Sequence, residues 1–347
     1  MPTRRTAILG FAHGHVGSYC GQWRANPAWG VEVVAGYDHD DERAAKAAGD
    51  HGVDVTTNLD DVLKRDDVDA VVIGAETSLH AELVERAAGA GKAIVLQKPL
   101  ALTLDEADRI IAAVDKARVP FTLAWQMRVD PQNLEMKRLL EAGELGRVYM
   151  VRRRHGLSTH VWGEWFENSW HVDPKLNRGM WADDAAHAID FLLWLLGEPV
   201  SVTAEIATLR TEKVPDDNGI AIYRYADGTF AEVCSSFVCV AGENTTEIVC
   251  DRGVIIQNFG DAPSAAAPRD PGAAGLKWIQ HGDKAWTKSD TPSPTSQGDR
   301  IAARAKPLAD FLHGRREAIA TASEGRAALK MTLACYDAAS HGCRVSL

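Results

Sequence analysis

Residues 6–20, TAILGFAHGHVGSYC, followed by residues 31–38, VEVVAGYD, decide the fold. Thr6 to Leu9 form a short apolar run that halts at Gly10, and a helical apolar stripe through Val16, Tyr19, Cys20 and Trp23 begins soon after. Asn26-Pro27 breaks that helix, 31–35 reads as a second strand ending in Tyr37-Asp38, and 41–49 as an alanine-rich helix. The unit is strand, helix, strand. Outward from it, strands at 70–73, 93–96 and 121–124 alternate with helices at 79–90 and 104–117. Alternation of this kind predicts an α/β fold with an open, doubly wound parallel sheet covered by helices on both faces.

In such a sheet the turn after the first strand holds a pyrophosphate on backbone N–H groups at a helix N-terminus. An acid closing the second strand bonds the adenosine ribose hydroxyls. Here the turn is Gly10-Phe11-Ala12-His13-Gly14-His15 and the acid is Asp38. Against the G-x-G-x-x-G pattern only the first glycine is in place: Ala12 holds the second position and His15 the third. His15 is bulky where a helix packs on a strand, which leaves that task to Gly14 or Gly17. Asp38 favours NAD over NADP, because a carboxylate repels a 2′-phosphate, and Arg43 reads as a solvated helix residue.

Composition narrows the partners. The 347 residues carry 38 Lys+Arg against 48 Asp+Glu, a formal net charge of -10, which disfavours nucleic acid and anionic membranes. The six cysteines show no CxxC pair or compact framework, no apolar run reaches the length of a membrane span, and no signal core follows the start; these point to a cytoplasmic protein.

Beyond residue 124 the texture changes. A helix at 133–141 and a strand at 147–154 precede a stretch rich in Gly, Asn, His and Trp. Strands at 200–208, 219–225, 229–240 and 245–250 predict a large, mainly antiparallel sheet, and helices at 305–315 and 324–342 close the chain. Between these lies 180–197, MWADDAAHAIDFLLWLLG, where Asp183 and His187 share one helical face. A carboxylate one turn before an imidazole accepts its N–H, fixes the tautomer and raises its basicity. The bland reading of the same pair is a helix-start carboxylate and a packing histidine.

The junctions carry more than periodicity. Asp69-Ala70-Val71-Val72-Ile73, Ser78-Leu79-His80, Ala90-Gly91-Lys92 and Gln97-Lys98-Pro99-Leu100-Ala101-Leu102-Thr103 stand in that order, and Asp183 to His187 then lead an aliphatic run to Gly197-Glu198-Pro199. Over nearly its whole length the chain resembles the Gfo/Idh/MocA oxidoreductase family, whose members include glucose-fructose oxidoreductase and inositol dehydrogenase. The resemblance implies an N-terminal Rossmann domain over 1–124 and a C-terminal α/β domain over 125–347 that binds substrate and forms oligomers, with the nicotinamide cofactor in the cleft between them. It assigns the catalytic roles to Lys98, Asp183 and His187. Cofactor contacts fall on Gly10, Phe11, Ala12, His13, Gly14, His15, Asp38, Ala75, Glu76, Thr77, His80, Gln97, Lys98 and Gln126. Two departures stand out: Gln97 replaces the usual glutamate, and Ala75-Glu76-Thr77 stands where Thr-Pro-Asn is common.

The stretch ahead of Asp183 holds His155, His160, Trp162, Trp165, Trp170 and His171. Aromatic faces with interleaved hydrogen-bonding groups suit a sugar or cyclitol; His155, Trp162, Trp165, Trp170 and His171 are the expected substrate residues. Their spacing matches no metal template, and no metal is expected. The expected activity is an NAD-dependent dehydrogenase or reductase acting on a secondary alcohol of a sugar, polyol or cyclitol, in a homodimer or homotetramer. The same scaffold also carries glycosidases that use NAD transiently and catalytically silent NAD-binding sugar sensors.

Overall fold

The computed structural model describes residues 2–159, 163–239, 244–257, 274–292, 294 and 297–347. The chain packs as two units. The first is Met1–Gln126 with Lys175–Asn177 and Ile301–Leu329; the second is Met127–Pro174 with Arg178–Arg300 and Lys330–Leu347. The chain thus re-enters the first unit twice after residue 124, and Trp23 Nε1 donates to the Ala305 carbonyl at 2.8 Å.

In the first unit, strands β1 (Arg4–Leu9), β2 (Val31–Tyr37), β3 (Val55–Thr56), β4 (Ala70–Ile73), β5 (Ala93–Leu96) and β6 (Phe121–Leu123) line up as β3-β2-β1-β4-β5-β6. Every pair is parallel. The helices between them are α1 (His15–Ala25), α2 (Asp41–His51), α3 (Leu59–Leu63), α4 (His80–Gly89) and α5 (Leu104–Ala117). β4 is buried along its whole length, as a central strand with both faces covered must be. Local chemistry punctuates the helices: the Asp40 side chain accepts from Arg43 N to start α2, and Thr103 and Glu106 form a reciprocal capping box on α5. The doubly wound parallel sheet expected from the alternation is present. β3 and α3 add to that expectation, because two- and five-residue elements are too short to show a period.

Further along, the chain forms α6 (Pro131–Glu141), β7 (Val148–Gly156), α7 (Glu164–Glu167), α8 (Pro174–Asn177), a wide π-type turn over Trp181–Ala185, and α9 (Ala186–Leu196). There follow β8 (Ser201–Ala207), β9 (Asn218–Arg224), β10 (Phe230–Ser236), β11 (Thr245–Cys250), β12 (Gly253–Gln257), β13 (Leu276–Gln280) and β14 (Thr287–Lys288). The chain ends in α10 (Gln297–Ala302), α11 (Ala305–Leu312), α12 (Ala322–His341) and β15 (Val345–Ser346). The second sheet runs β14-β13-β12-β11-β7-β10-β9-β8-β15 and is antiparallel except where β7 meets β10. One face buries Val151, Ala221, Tyr223, Ala231, Val233 and Ile248. The alternate positions leave Ile220, Ile222 and Phe230 exposed, with Arg152 pairing Glu232 and Glu247 across the strands. Among the described residues no helix is long and apolar enough to cross a membrane.

Candidate cofactor site and acid-base cluster

The turn after β1 is defined by backbone. Gly10 sits at φ +85°, and a Cβ there would lie 2.5 Å from the backbone of Ala75, so only glycine fits. Phe11 and Ala12 carry the chain on to His13, whose N–H donates to the Gly74 carbonyl at 2.8 Å. α1 then begins at His15 with no side-chain cap and no acidic residue in its first turn, leaving its positive end available to an anion. The close approach expected of Gly14 or Gly17 is made instead by Gly74, where a Cβ would lie 2.4 Å from Val16 Cγ1. A Cβ on Gly14 would meet nothing within 4 Å, and one on Gly17 would meet only the His51 ring, at 3.6 Å. The glycine that lets helix and sheet approach is thus contributed by the β4 end. His15 Nδ1 accepts from Arg304 Nη2 at 2.9 Å, which places its own proton on Nε2.

Asp38, at the end of β2, is fully buried. Its carboxylate accepts from Phe11 N (2.7 Å), Asp40 N (3.0 Å), Arg43 Nε and Arg43 Nη2 (both 2.8 Å). Burial alone would raise this carboxyl; the Arg43 and backbone hydrogen bonds outweigh it and hold the group below its ordinary value. Arg43 is therefore not the solvated residue expected from its helical position. A buried carboxylate requires a partner, and Arg43, on the first turn of α2, is the cation that reaches it.

Glu76 stands 3.0 Å from Arg43 Nη2, and Thr77 Oγ1 donates to Asn177 Oδ1 at 2.6 Å. His80 Nδ1 lies 2.9 Å from the Pro99 carbonyl and Nε2 lies 3.3 Å from that of Ala75. A neutral imidazole has one N–H, and the shorter contact assigns it to Nδ1. Burial pushes His80 down to about 4, against the pull of these carbonyls and with help from the Lys98 charge. His80 therefore joins the turn after β4 to the turn that presents Lys98, which is itself buried beside a cis bond to Pro99. Gln97 Nε2 donates to the Tyr19 hydroxyl at 3.0 Å. The Oε1 atoms of Gln97 and Gln126 and Oε2 of Glu76 are buried without a hydrogen-bond partner among the described residues. A positive-φ glycine against a bare helix start, a buried ribose-type acid and unpaired acceptors fit a dinucleotide.

In the second unit the chemistry rests on side chains. The stretch before α9 opens as a π turn over Trp181–Ala185. A π turn holds more residues per turn than an α-helix, so the α-helical phase of 181–185 does not carry unchanged into α9. The expected pairing has Asp183 as the carboxylate at His187; in the structure both acids of the Asp183-Asp184 pair face imidazoles. Asp184 Oδ1 lies 3.5 Å from His187 Nε2 and 3.7 Å from His155 Nε2, whereas Asp183 Oδ2 meets His171 Nδ1 at 3.0 Å. His155 and His187 are both buried, their ring centroids 5.8 Å apart. His171 stacks on Trp170, centroids 3.9 Å apart. Of the other aromatic candidates, Trp165 is 71% exposed, Trp181 is core with Gly219 packed against it, and Trp162, like His160, lies outside the described residues. Asp190, three residues after His187 in α9, forms a buried two-point pair with Arg128 at 2.8 and 3.0 Å.

A doubly wound dinucleotide-type unit followed by a mixed-sheet unit with a buried carboxylate–imidazole cluster defines a class of two-part nicotinamide oxidoreductase folds. Residues 4–124 match the model of the oxidoreductase family with NAD-binding Rossmann fold, and residues 133–256 match that family's GFO/IDH/MocA C-terminal domain. The chain belongs to the GFO/IDH/MocA family, and its first unit is the NAD-binding domain of that family. It is 31% identical over 211 residues to an inositol 2-dehydrogenase of Rhizobium meliloti (strain 1021), covering 59% of this chain and 61% of the relative. It is 34% identical over 186 residues to inositol 2-dehydrogenase 3 of Saccharopolyspora erythraea, covering 53% of this chain and 52% of the relative. The chain thus spans between half and two thirds of the length of these curated relatives. Levoglucosan dehydrogenase in complex with NADH and L-sorbose superposes with a TM-score of 0.84 at 20% identity, over 100% of this chain and 99% of that one, which shows the shared fold.

Proposed function

We propose that the protein is an NAD-dependent dehydrogenase or reductase acting on a secondary alcohol of a sugar, polyol or cyclitol. The observation that carries the reading is the buried cluster in which Asp184 stands 3.5 Å from His187 and 3.7 Å from His155, in a chain whose first unit is an NAD-binding domain. Relatives named inositol 2-dehydrogenase support a cyclitol or sugar as substrate.

When bound, NAD supplies the acceptor for the hydride leaving the alcohol carbon. Gly10 to His15, Asp38, Ala75 to Thr77, Gln97 and Gln126 would hold it. His187 takes up or returns the hydroxyl proton, and the Asp184 carboxylate favours the imidazolium formed on the way. Lys98 hydrogen-bonds the alcohol oxygen and shares the proton role. Asp183 orients His171, and His155, Trp162, Trp165, Trp170 and His171 choose the substrate. Residues 1–124 serve the cofactor, while 125–347 serve substrate and self-association. The exposed sheet face with Ile220, Ile222 and Phe230 supports pairing with a second copy. All six cysteines are unpaired, which supports a reducing, cytoplasmic location.

The test is a panel of sugars, polyols and cyclitols with NAD and NADP, following absorbance of the reduced cofactor. Accumulation of NADH with at least one member is expected. Turnover without net NADH would point to NAD-using glycoside cleavage, and binding without turnover to a sensor; either would overturn the reading.

A further inference from the structure

Asp38, Arg43 and Glu76 form a closed electrostatic unit in the first domain. Arg43 uses Nε and Nη2 on Asp38 and also places Nη2 3.0 Å from Glu76 Oε1. His39 flanks both acids, with Nδ1 3.7 Å from Asp38 and Nε2 3.9 Å from Glu76. Glu76 is only 4% exposed, yet its Oε2 has no hydrogen-bond partner among the described residues. A buried carboxylate oxygen left without a donor is costly, and a ligand hydroxyl relieves that cost whereas a phosphate does not.

We infer that Glu76 is a specificity-determining residue for the dinucleotide: its free oxygen accepts from an adenosine ribose hydroxyl of NAD, and with Asp38 it keeps Arg43 from pairing with a 2′-phosphate. A single acid at the end of β2 would leave the second edge of Arg43 open to phosphate, the group a guanidinium binds best. Glu76 takes the Nη2 end of that edge. This role rests on NAD binding by the first domain and is independent of the alcohol substrate.

Equilibrium binding of NADH and NADPH to the full chain, read by cofactor fluorescence, tests it without turnover. Glu76→Gln keeps the shape and removes the charge, and Glu76→Ala removes the group. Both are expected to shift the NADPH-to-NADH affinity ratio toward NADPH by about tenfold, equivalent to about 1.4 kcal/mol. In an Arg43→Ala background the same Glu76 substitutions should shift the ratio less than about twofold, because the phosphate's partner is gone. Melting curves of each variant report folding. A ratio unchanged in both folded Glu76 variants overturns the inference and leaves NAD binding standing; a wild-type chain that binds neither dinucleotide overturns both.

Discussion

His80 and His187 are both buried imidazoles in the first turn of a helix, one in each unit, yet they have different neighbours. His80 faces backbone carbonyls, of Pro99 at 2.9 Å and Ala75 at 3.3 Å, while His187 faces a carboxylate, Asp184, at 3.5 Å. A carbonyl accepts one proton's hydrogen bond without compensating a charge, so it suits a permanently neutral ring that ties two turns together. A carboxylate stabilises the charged ring and so permits the proton to come and go. The same residue thus meets two kinds of partner; in the function proposed above, the first makes a frame and the second a place for proton transfer.

The comparison breaks most visibly if the chemistry is removed. His187→Ala and Lys98→Ala should each lower kcat by about 10²–10⁴, the usual contribution of a positioned acid–base group. NADH affinity, measured by fluorescence, should change little, and unchanged turnover in both variants would refute their assignment.

The frame side is tested by pH. His80 is held down to about 4 in the folded chain against an ordinary value of 6.5. Between those values the unfolded chain binds the proton and the folded chain does not, so stability is full above pH 6.5 and falls as pH drops toward 4. One proton taken up on unfolding costs about 1.4 kcal/mol of stability for each pH unit, so the loss from this group across that window should be about 3 kcal/mol. Urea denaturation at neutral and acid pH should show that slope in the wild type and a flatter one in His80→Asn.

The choice between neighbouring acids sharpens the contrast further. Asp184→Asn should cost about a hundredfold in kcat, at the low end of acid–base effects, with the pH profile of kcat displaced. Asp183→Asn should act mainly on KM through His171. Equal effects on kcat would show that the two acids are not divided in this way.

The smallest effects concern backbone space. Gly74→Ala should destabilise by about 1–3 kcal/mol, because its Cβ meets Val16 Cγ1 at 2.4 Å. Gly17→Ala, on an open helix position, should stabilise by about 0.5–1 kcal/mol. Thermal unfolding of the two variants should move in opposite directions.

Much of the first unit is legible in the sequence because its elements are periodic over enough residues. β4, β5 and α5 run over the residues that the alternation of strands and helices assigns them. The candidate residues of the cofactor turn are legible for the same reason: a glycine after a strand and an acid after the next occur at set places in a βαβ unit. Gly74 gives no such signal, because the pattern assigns its task to α1 and nothing local to Gly74 says which helix residue will come against it. β12, β13 and β14 are equally silent in the second unit, where the flanking sequence is rich in Pro, Ala and Gly and strand signals are short.

By itself the sequence determined the alternation that makes the first sheet parallel, the buried strands, and the presence of Lys98, two adjacent acids and His187 as candidate groups for the chemistry. Those depend on residue type and near neighbours, which local periodicity reports. Only the tertiary structure decided that Arg43 pairs with Asp38 and Glu76, that Gly74 provides the close approach, and that Asp184 stands 3.5 Å from His187. These depend on residues brought together from distant strands, and on a π turn whose phase no fixed helical spacing contains.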